Sequence, residues 1–207
     1  MQRVYDQMAF IEARQAHLDD ALNAWLDQLP MKYREYDIAT ILEKWTNRFP
    51  AGNLADIHKL LNRSYPGAFV LLKGVAGTGK TTTATAIVTE LIQQYGGSGR
   101  FVNGMELLNR LSFDRAVLAD LSGTDYLVID DLGAVNEGIT PHQQRSLWAL
   151  IEARWSDHLL TIITTNMGIQ TNELGVGLAE WVGPSAWDRI ADQLLLIQTI
   201  GSSARGL

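Results

Sequence analysis

The sequence contains no cysteine. That excludes a disulfide framework, a thiolate zinc site and an iron–sulfur cluster. No apolar run reaches the ~18 residues that a membrane-spanning helix requires, so no membrane partner is expected. Around Arg3 and Asp6 the N-terminus also lacks the apolar core of a secretory signal, and a cytoplasmic location is the expectation. Basic residues are scarce, 17 Lys plus Arg against 23 Asp plus Glu, for a net charge of -6. That balance argues against a protein that coats nucleic acid through bulk charge, although it leaves room for a local basic groove. Beyond Arg154 the only Lys or Arg residues are Arg189 and Arg205. The four histidines are scattered without metal-ligand spacing. What remains is a chain of 207 residues, enough for one full domain with a real core and a small appendage.

Residues 1–29 carry a regular seam. Val4, Met8, Ile11, Leu18, Leu22, Trp25 and Leu29 alternate four- and three-residue spacings, with Gln15 filling the remaining step. This period places all eight on one face of a helix, which Pro30 ends. Such a face fits either packing on the chain's own domain or docking on a partner. Residues 30–66 read as a helical linker region. Asp37 is positioned to cap a helix running to Trp45, and Asn53 to cap another running to Arg63. From residue 67 onward the pattern changes to apolar strands alternating with helices. Strands are predicted at 68–72, 101–102, 126–129, 160–165 and 194–199, and helices at 80–95, within 104–121, at 141–155 and at 186–191. Near-continuous apolar strands in such an alternation mean a parallel sheet covered on both faces, an α/β fold.

Between the first strand and the helix after it lies Gly74-Val75-Ala76-Gly77-Thr78-Gly79-Lys80-Thr81, an ungapped GxxxxGK[ST]. Glycines let backbone N–H groups face phosphate oxygens, and the helix N-terminus adds favourable partial charge. Gly74, Ala76, Gly77, Thr78, Gly79, Lys80, Thr81 and Thr82 are therefore the expected nucleotide-cradling set. In it Lys80 reaches the β- and γ-phosphates, and Thr81 offers its hydroxyl to Mg²⁺. Asp130 ends the strand 126–129 and can hold the Mg²⁺ shell from the C-terminal end of the sheet. Its neighbour Asp131 fits either a polariser of the attacking water or a supporting structural acid. Asn166 closes the strand 160–165, where a polar side chain can sense the γ-phosphate. Arg189 fits either an arginine supplied to a neighbouring subunit's nucleotide or a salt bridge to Asp188 or Asp192. The tryptophans and tyrosines read mostly as packing or surface groups, with no specific sign of base stacking.

Taken together, Gly74 to Thr81, the run Tyr-Leu-Val-Ile-Asp-Asp-Leu-Gly ending at Gly133, and Thr-Ile-Ile-Thr-Thr-Asn ending at Asn166 resemble the DnaC/DnaI-type helicase loaders. The IstB-type transposition helper ATPases are close relatives, and both groups are AAA+ ATPases. Residues 145–154 look like the helix that links the metal-binding acid to the sensor strand in these loaders. The resemblance covers residues 67–207 and implies an AAA+-type P-loop domain with a small N-terminal helical region and no separate C-terminal lid. It makes Lys80 and Thr81 the ATP and Mg²⁺ ligands, Asp130 the metal acid, Asp131 the catalytic acid and Asn166 the first sensor. Arg189 matches the trans-acting finger, and Arg205 the second sensor. In related loaders the helical segment before Asp130 lines a DNA channel, which nominates Arg110, Phe113 and Arg115. Aspartate at 131 is one methylene shorter than the glutamate common there, so slow hydrolysis is expected.

The function so implied is ATP-dependent loading of a replicative hexameric helicase onto single-stranded DNA, by an ATP-bound homo-oligomer of phage or mobile-element type. Residues 1–29 would be the helicase-docking element. An IstB-like helper on duplex DNA shares every motif, and the short Asp131 also suits a nucleotide-gated adaptor that scarcely hydrolyses ATP. A small-molecule kinase fits less well, because the arginine-rich lid that kinases use is missing.

Overall fold

Five short apolar segments build one sheet: β1 (Phe69–Lys73), β2 (Gly99–Asn103), β3 (Tyr126–Asp130), β4 (Leu160–Thr165) and β5 (Leu194–Gln198), in the order β2-β3-β4-β1-β5. Every pairing is parallel. Parallel neighbours require crossover connections, so helices cover both faces and the central strands are wholly buried. The computed structural model describes residues 2–133, 138–173 and 175–201. The expected α/β architecture and all five strands are present, with ends shifted by a few residues at most.

One face is covered by α5 (Gly104–Phe113), α6 (Arg115–Gly123), α7 (Pro141–Ser156), α8 (Leu178–Val182) and α9 (Pro184–Asp192). The other is covered by α1 (Gln2–Gln28), α2 (Ile38–Lys44), α3 (Ala51–Leu61) and α4 (Lys80–Tyr95). The region before residue 67 is thus part of a core layer. Ile38, Ile41, Phe49, Ile57 and Leu60 share one apolar cluster with Ile87, Leu91 and Val128. Asp37 caps α2 as expected, accepting from the Thr40 N–H at 2.7 Å, and this bond holds its carboxyl below the usual range.

Asn53 does not cap α3. Pro50 stands at that position, and Asn53 faces the sheet edge. Its Nδ2 donates to the Leu196 carbonyl at 3.1 Å and its Oδ1 accepts from the Gln198 N–H at 2.9 Å. One side chain therefore occupies backbone groups on the outer edge of β5, where an exposed edge would invite pairing with another chain. The helix α8, read as loop in the sequence, is a single five-residue turn between Gly177 and Gly183.

The seam of α1 divides in two. Trp25 and Leu29 are buried, and Trp25 Nε1 donates to Thr89 Oγ1 at 2.9 Å. The indole lies against Gly99, where any Cβ would run into the ring. Toward the N-terminus the same seam is bare: Met8 is 53% and Ile11 63% exposed, and Phe10 beside them 70%. The side chain of Val4 lies outside the described residues. Self-packing and outward display are both realised, on successive halves of one helix.

Candidate nucleotide site

The site forms at the carboxyl ends of the strands, where ligands settle in open α/β sheets. Leaving β1, the chain must turn sharply to start α4, and Gly77 and Gly79 take positive φ of 81° and 92° to do so. These left-handed conformations suit glycine. A side chain on Gly79 would also strike the Trp45 ring. Lys80 follows and is 6% exposed. Its ammonium donates to the carbonyls of Gly74 and Val75, each at 2.9 Å, and to Asn166 Oδ1 at 2.6 Å.

The strand order explains which groups meet. Because β4 lies between β1 and β3, its tip separates the loop lysine from the acids and bridges them. Asn166 accepts from Lys80 and donates through Nδ2 to Asp131 Oδ1 at 2.9 Å. Thr164 Oγ1 donates to Asp130 Oδ1 at 2.7 Å and accepts the Asp131 N–H at 2.8 Å. Thr81 Oγ1 donates to the same Asp130 oxygen at 2.7 Å. A hydroxyl and a carboxylate already within bonding distance are the hard oxygen donors that Mg²⁺ takes alongside water and phosphate, so these residues fit that ion. Asp131 has a φ of 57°. Aspartate enters the left-handed region more readily than most side chains, which gives a backbone reason for the shorter acid.

A cleft of about 640 Å³ opens here, within the ~300–1,000 Å³ typical of ligand sites. Ala76, Gly77, Gly79, Lys80, Thr81, Thr82, Asp130, Asp131 and Asn166 line it, as the sequence predicts. Gly74 and Thr78 sit behind the loop instead. The Thr78 hydroxyl is buried on Val75 O at 2.9 Å and Thr199 Oγ1 at 2.6 Å, and Gly74 is pressed against Thr199. Four further lining residues, Lys32, Tyr33, Tyr36 and Trp45, come from the segment after α1. Three of the aromatics, read from the sequence mostly as packing or surface groups, thus line the cleft. Tyr36 and Trp45 stand 6.0 Å apart, tilted by 41°, as an aromatic wall of the cleft. No local motif marks them; only the packing of residues 30–48 across α4 brings them there.

The remaining candidates lie elsewhere. Arg189, on α9, pairs with Glu152 at 2.6 Å and lies over the Trp155 ring at 4.4 Å, and the Glu152 bond raises its pKa further. Asp192, one of the partners expected for it, accepts from Trp155 Nε1 instead. Arg110 pairs with Glu106 on α5, and Phe113 and Arg115 are exposed at the α5–α6 corner, Phe113 at 91%. Arg205 lies outside the described residues.

This fold has solved counterparts. A DnaC helicase loader superposes with a TM-score of 0.67 at 23% identity, over 83% of this chain and 100% of that one. DnaI gives 0.64 at 19%, over 83% and 95%. A replication initiator DnaA bound to AMPPCP and single-stranded DNA gives 0.61 at 14%, over 84% and 51%. No curated protein gives a significant match in sequence. The profile of the IstB-like ATP binding proteins matches residues 53–206, most of the chain and the whole phosphate site. The chain therefore belongs to the IstB-like ATP-binding family and is an ATPase of the AAA+ class, sharing its fold with a DnaC helicase loader and with DnaI.

Proposed function

We propose that this ATPase loads a replicative hexameric helicase onto single-stranded DNA, acting as an ATP-bound homo-oligomer. The observation that carries this reading is the bare half of the α1 seam, an exposed apolar surface joined to the nucleotide cleft through a short segment. Amphipathic helices of this kind dock by laying their apolar face in a partner's groove. The likeness to a DnaC helicase loader supports a helicase as the class of partner.

In this reading residues 1–29 are the docking element, 30–66 connect it to the nucleotide, and 67–207 perform the chemistry. Lys80 neutralises the β- and γ-phosphates, and the Tyr36–Trp45 wall receives the base. Thr81 and Asp130 hold Mg²⁺, which when bound adds charge neutralisation. Asp131 accepts a proton from the attacking water, while Asn166 fixes both the carboxylate and Lys80. Arg189 is the candidate finger toward a neighbouring subunit's nucleotide, which requires it to leave Glu152, and Arg205 is the candidate second sensor. DNA would run past Arg110, Phe113 and Arg115, weakly per subunit and usefully only when several subunits line one strand.

Asp131→Asn is expected to lower turnover by ~100-fold or more, the usual worth of general-base catalysis, with ATP affinity within twofold of the native protein. Phosphate release and equilibrium nucleotide titration measure the two separately. The function itself is tested by deleting residues 2–17. None of the described side chains of this stretch, residues 6–17, belongs to the apolar core, so ATP binding should persist while helicase binding is lost. Helicase binding that survives the deletion would remove α1 as the docking element. The family profile favours one second reading, an IstB-like transposition helper. Length-dependent binding to duplex DNA with no helicase interaction would establish it.

A further inference from the structure

The turn following α1 places a second lysine, Lys32, in the wall of the nucleotide cleft. A bound triphosphate and the carboxylates of Asp130 and Asp131 concentrate negative charge in one cleft, where the phosphate loop contributes Lys80. Lys32 lines the same cleft. Among the described residues no carboxylate pairs with it, although the chain as a whole is acidic. Its ammonium lies 4.7 Å from the centre of the Tyr33 ring. That ring packs at 6.3 Å on Phe101 of β2, the strand beside β3. Lys32 is thus held, through Tyr33, at the edge of the cleft toward β2. Trp45, against Gly79, holds the phosphate-loop side.

The same turn is fastened to the end of α1. Arg34 donates through Nε to the Leu29 carbonyl at 2.9 Å and through Nη2 to the Asp27 carbonyl at 3.0 Å. Its guanidinium also faces the Asp27 carboxylate at 3.6 Å. Residues 30–34 therefore touch both the cleft and the last turn of the helix whose seam is exposed from Met8 to Ile11.

We propose that Lys32 is a second phosphate ligand supplied in cis, that it engages the terminal phosphate of ATP, and that through the turn at 30–34 it couples ATP occupancy to α1. The inference rests on nucleotide binding in this cleft and is independent of which partner α1 meets. Its mechanism is charge-assisted hydrogen bonding by a lysine that the packing of the turn already places at the cleft wall.

The test titrates ATP and ADP into the native chain and the variants Lys32→Ala, Lys32→Arg, Lys80→Ala and Lys44→Ala. Lys44 is an exposed lysine on α2 outside the cleft. Lys32→Ala should weaken ATP about tenfold and ADP less than twofold. Lys32→Arg should recover most of the loss, and Lys44→Ala should change neither. Amide hydrogen exchange over residues 26–34 of the native chain should slow with ATP more than with ADP, a difference that Lys32→Ala abolishes. Equal losses for ATP and ADP, or no loss for Lys32→Ala where Lys80→Ala removes binding, would overturn the phosphate contact. Exchange over 26–34 that ignores ATP would overturn the coupling. If Lys80→Ala also leaves affinity intact, nucleotide binding in this cleft fails along with it.

Discussion

Lys80→Ala is expected to weaken ATP binding by about 100-fold and to abolish measurable turnover, while the protein stays folded. The size follows from the loss of charge-assisted hydrogen bonds worth ~1.5–3 kcal/mol each, where ~1.4 kcal/mol is tenfold. Lys80 holds the Gly74 and Val75 carbonyls and Asn166 Oδ1, so the ammonium already sits among the groups that surround a phosphate. Alanine would release those acceptors into an open cleft, where water satisfies them, and the core on either side of the sheet is not touched. Titration with a fluorescent ATP analogue reads the affinity, and a thermal melt checks the fold. Affinity within threefold of the native value would show that the phosphates are bound elsewhere.

The largest effect on stability is expected at the opposite end of the sheet. Arg154 on α7 is fully buried, and burial pushes its guanidinium down to about 10, still charged at neutral pH. It donates to Thr161 Oγ1 and to the carbonyls of Leu121, Thr124 and Leu160, each at 2.7 Å. One planar fork thereby joins the end of α6, the start of β4 and α7. Arg154→Leu would leave these buried carbonyls without a donor, at ~1–3 kcal/mol each before relaxation, and a total loss of about 3–5 kcal/mol is expected. Lysine should not rescue it, since a single ammonium cannot reproduce the five-donor fork. Urea denaturation measures this loss; a change below about 1 kcal/mol would mean that the carbonyls find other partners. No comparable effect on nucleotide contacts is expected, because Arg154 lies at the amino ends of the strands and the cleft at their carboxyl ends.

These two residues also show what a sequence can and cannot disclose. Lys80 sits in a contiguous motif whose spacing is dictated by the phosphate it wraps, so strand, loop and helix are readable together. Asp130 and Asn166 are legible for a related reason: each ends an apolar run, and the end of a parallel strand is where a ligand is met. Arg154 carries no such mark. Its partners are mostly backbone carbonyls, which every residue type possesses. Lys32, Tyr36 and Trp45 escape for want of any local period, since only the passage of residues 30–48 over α4 carries them to the cleft. Asn53 misleads for the opposite reason. It has the chemistry of a helix cap, but Pro50 already starts the helix and the edge of β5 offers it two backbone groups. In α1 the heptad pattern is the same along its length, yet β2 and α4 cover only the end from Leu18 to Leu29. Periodicity reports an apolar face and leaves open what covers it.

If, as proposed, ATP in this cleft enables the chain to hold a hexameric helicase, the nucleotide-binding lysine should control that complex. The most direct measurement is co-purification of native and Lys80→Ala protein, each with ATP, followed by identification and mass determination of the bound complex. A helicase hexamer should be bound by native protein and lost with Lys80→Ala. Recovery of a transposase, or a helicase complex that forms equally well with Lys80→Ala, would contradict the proposal.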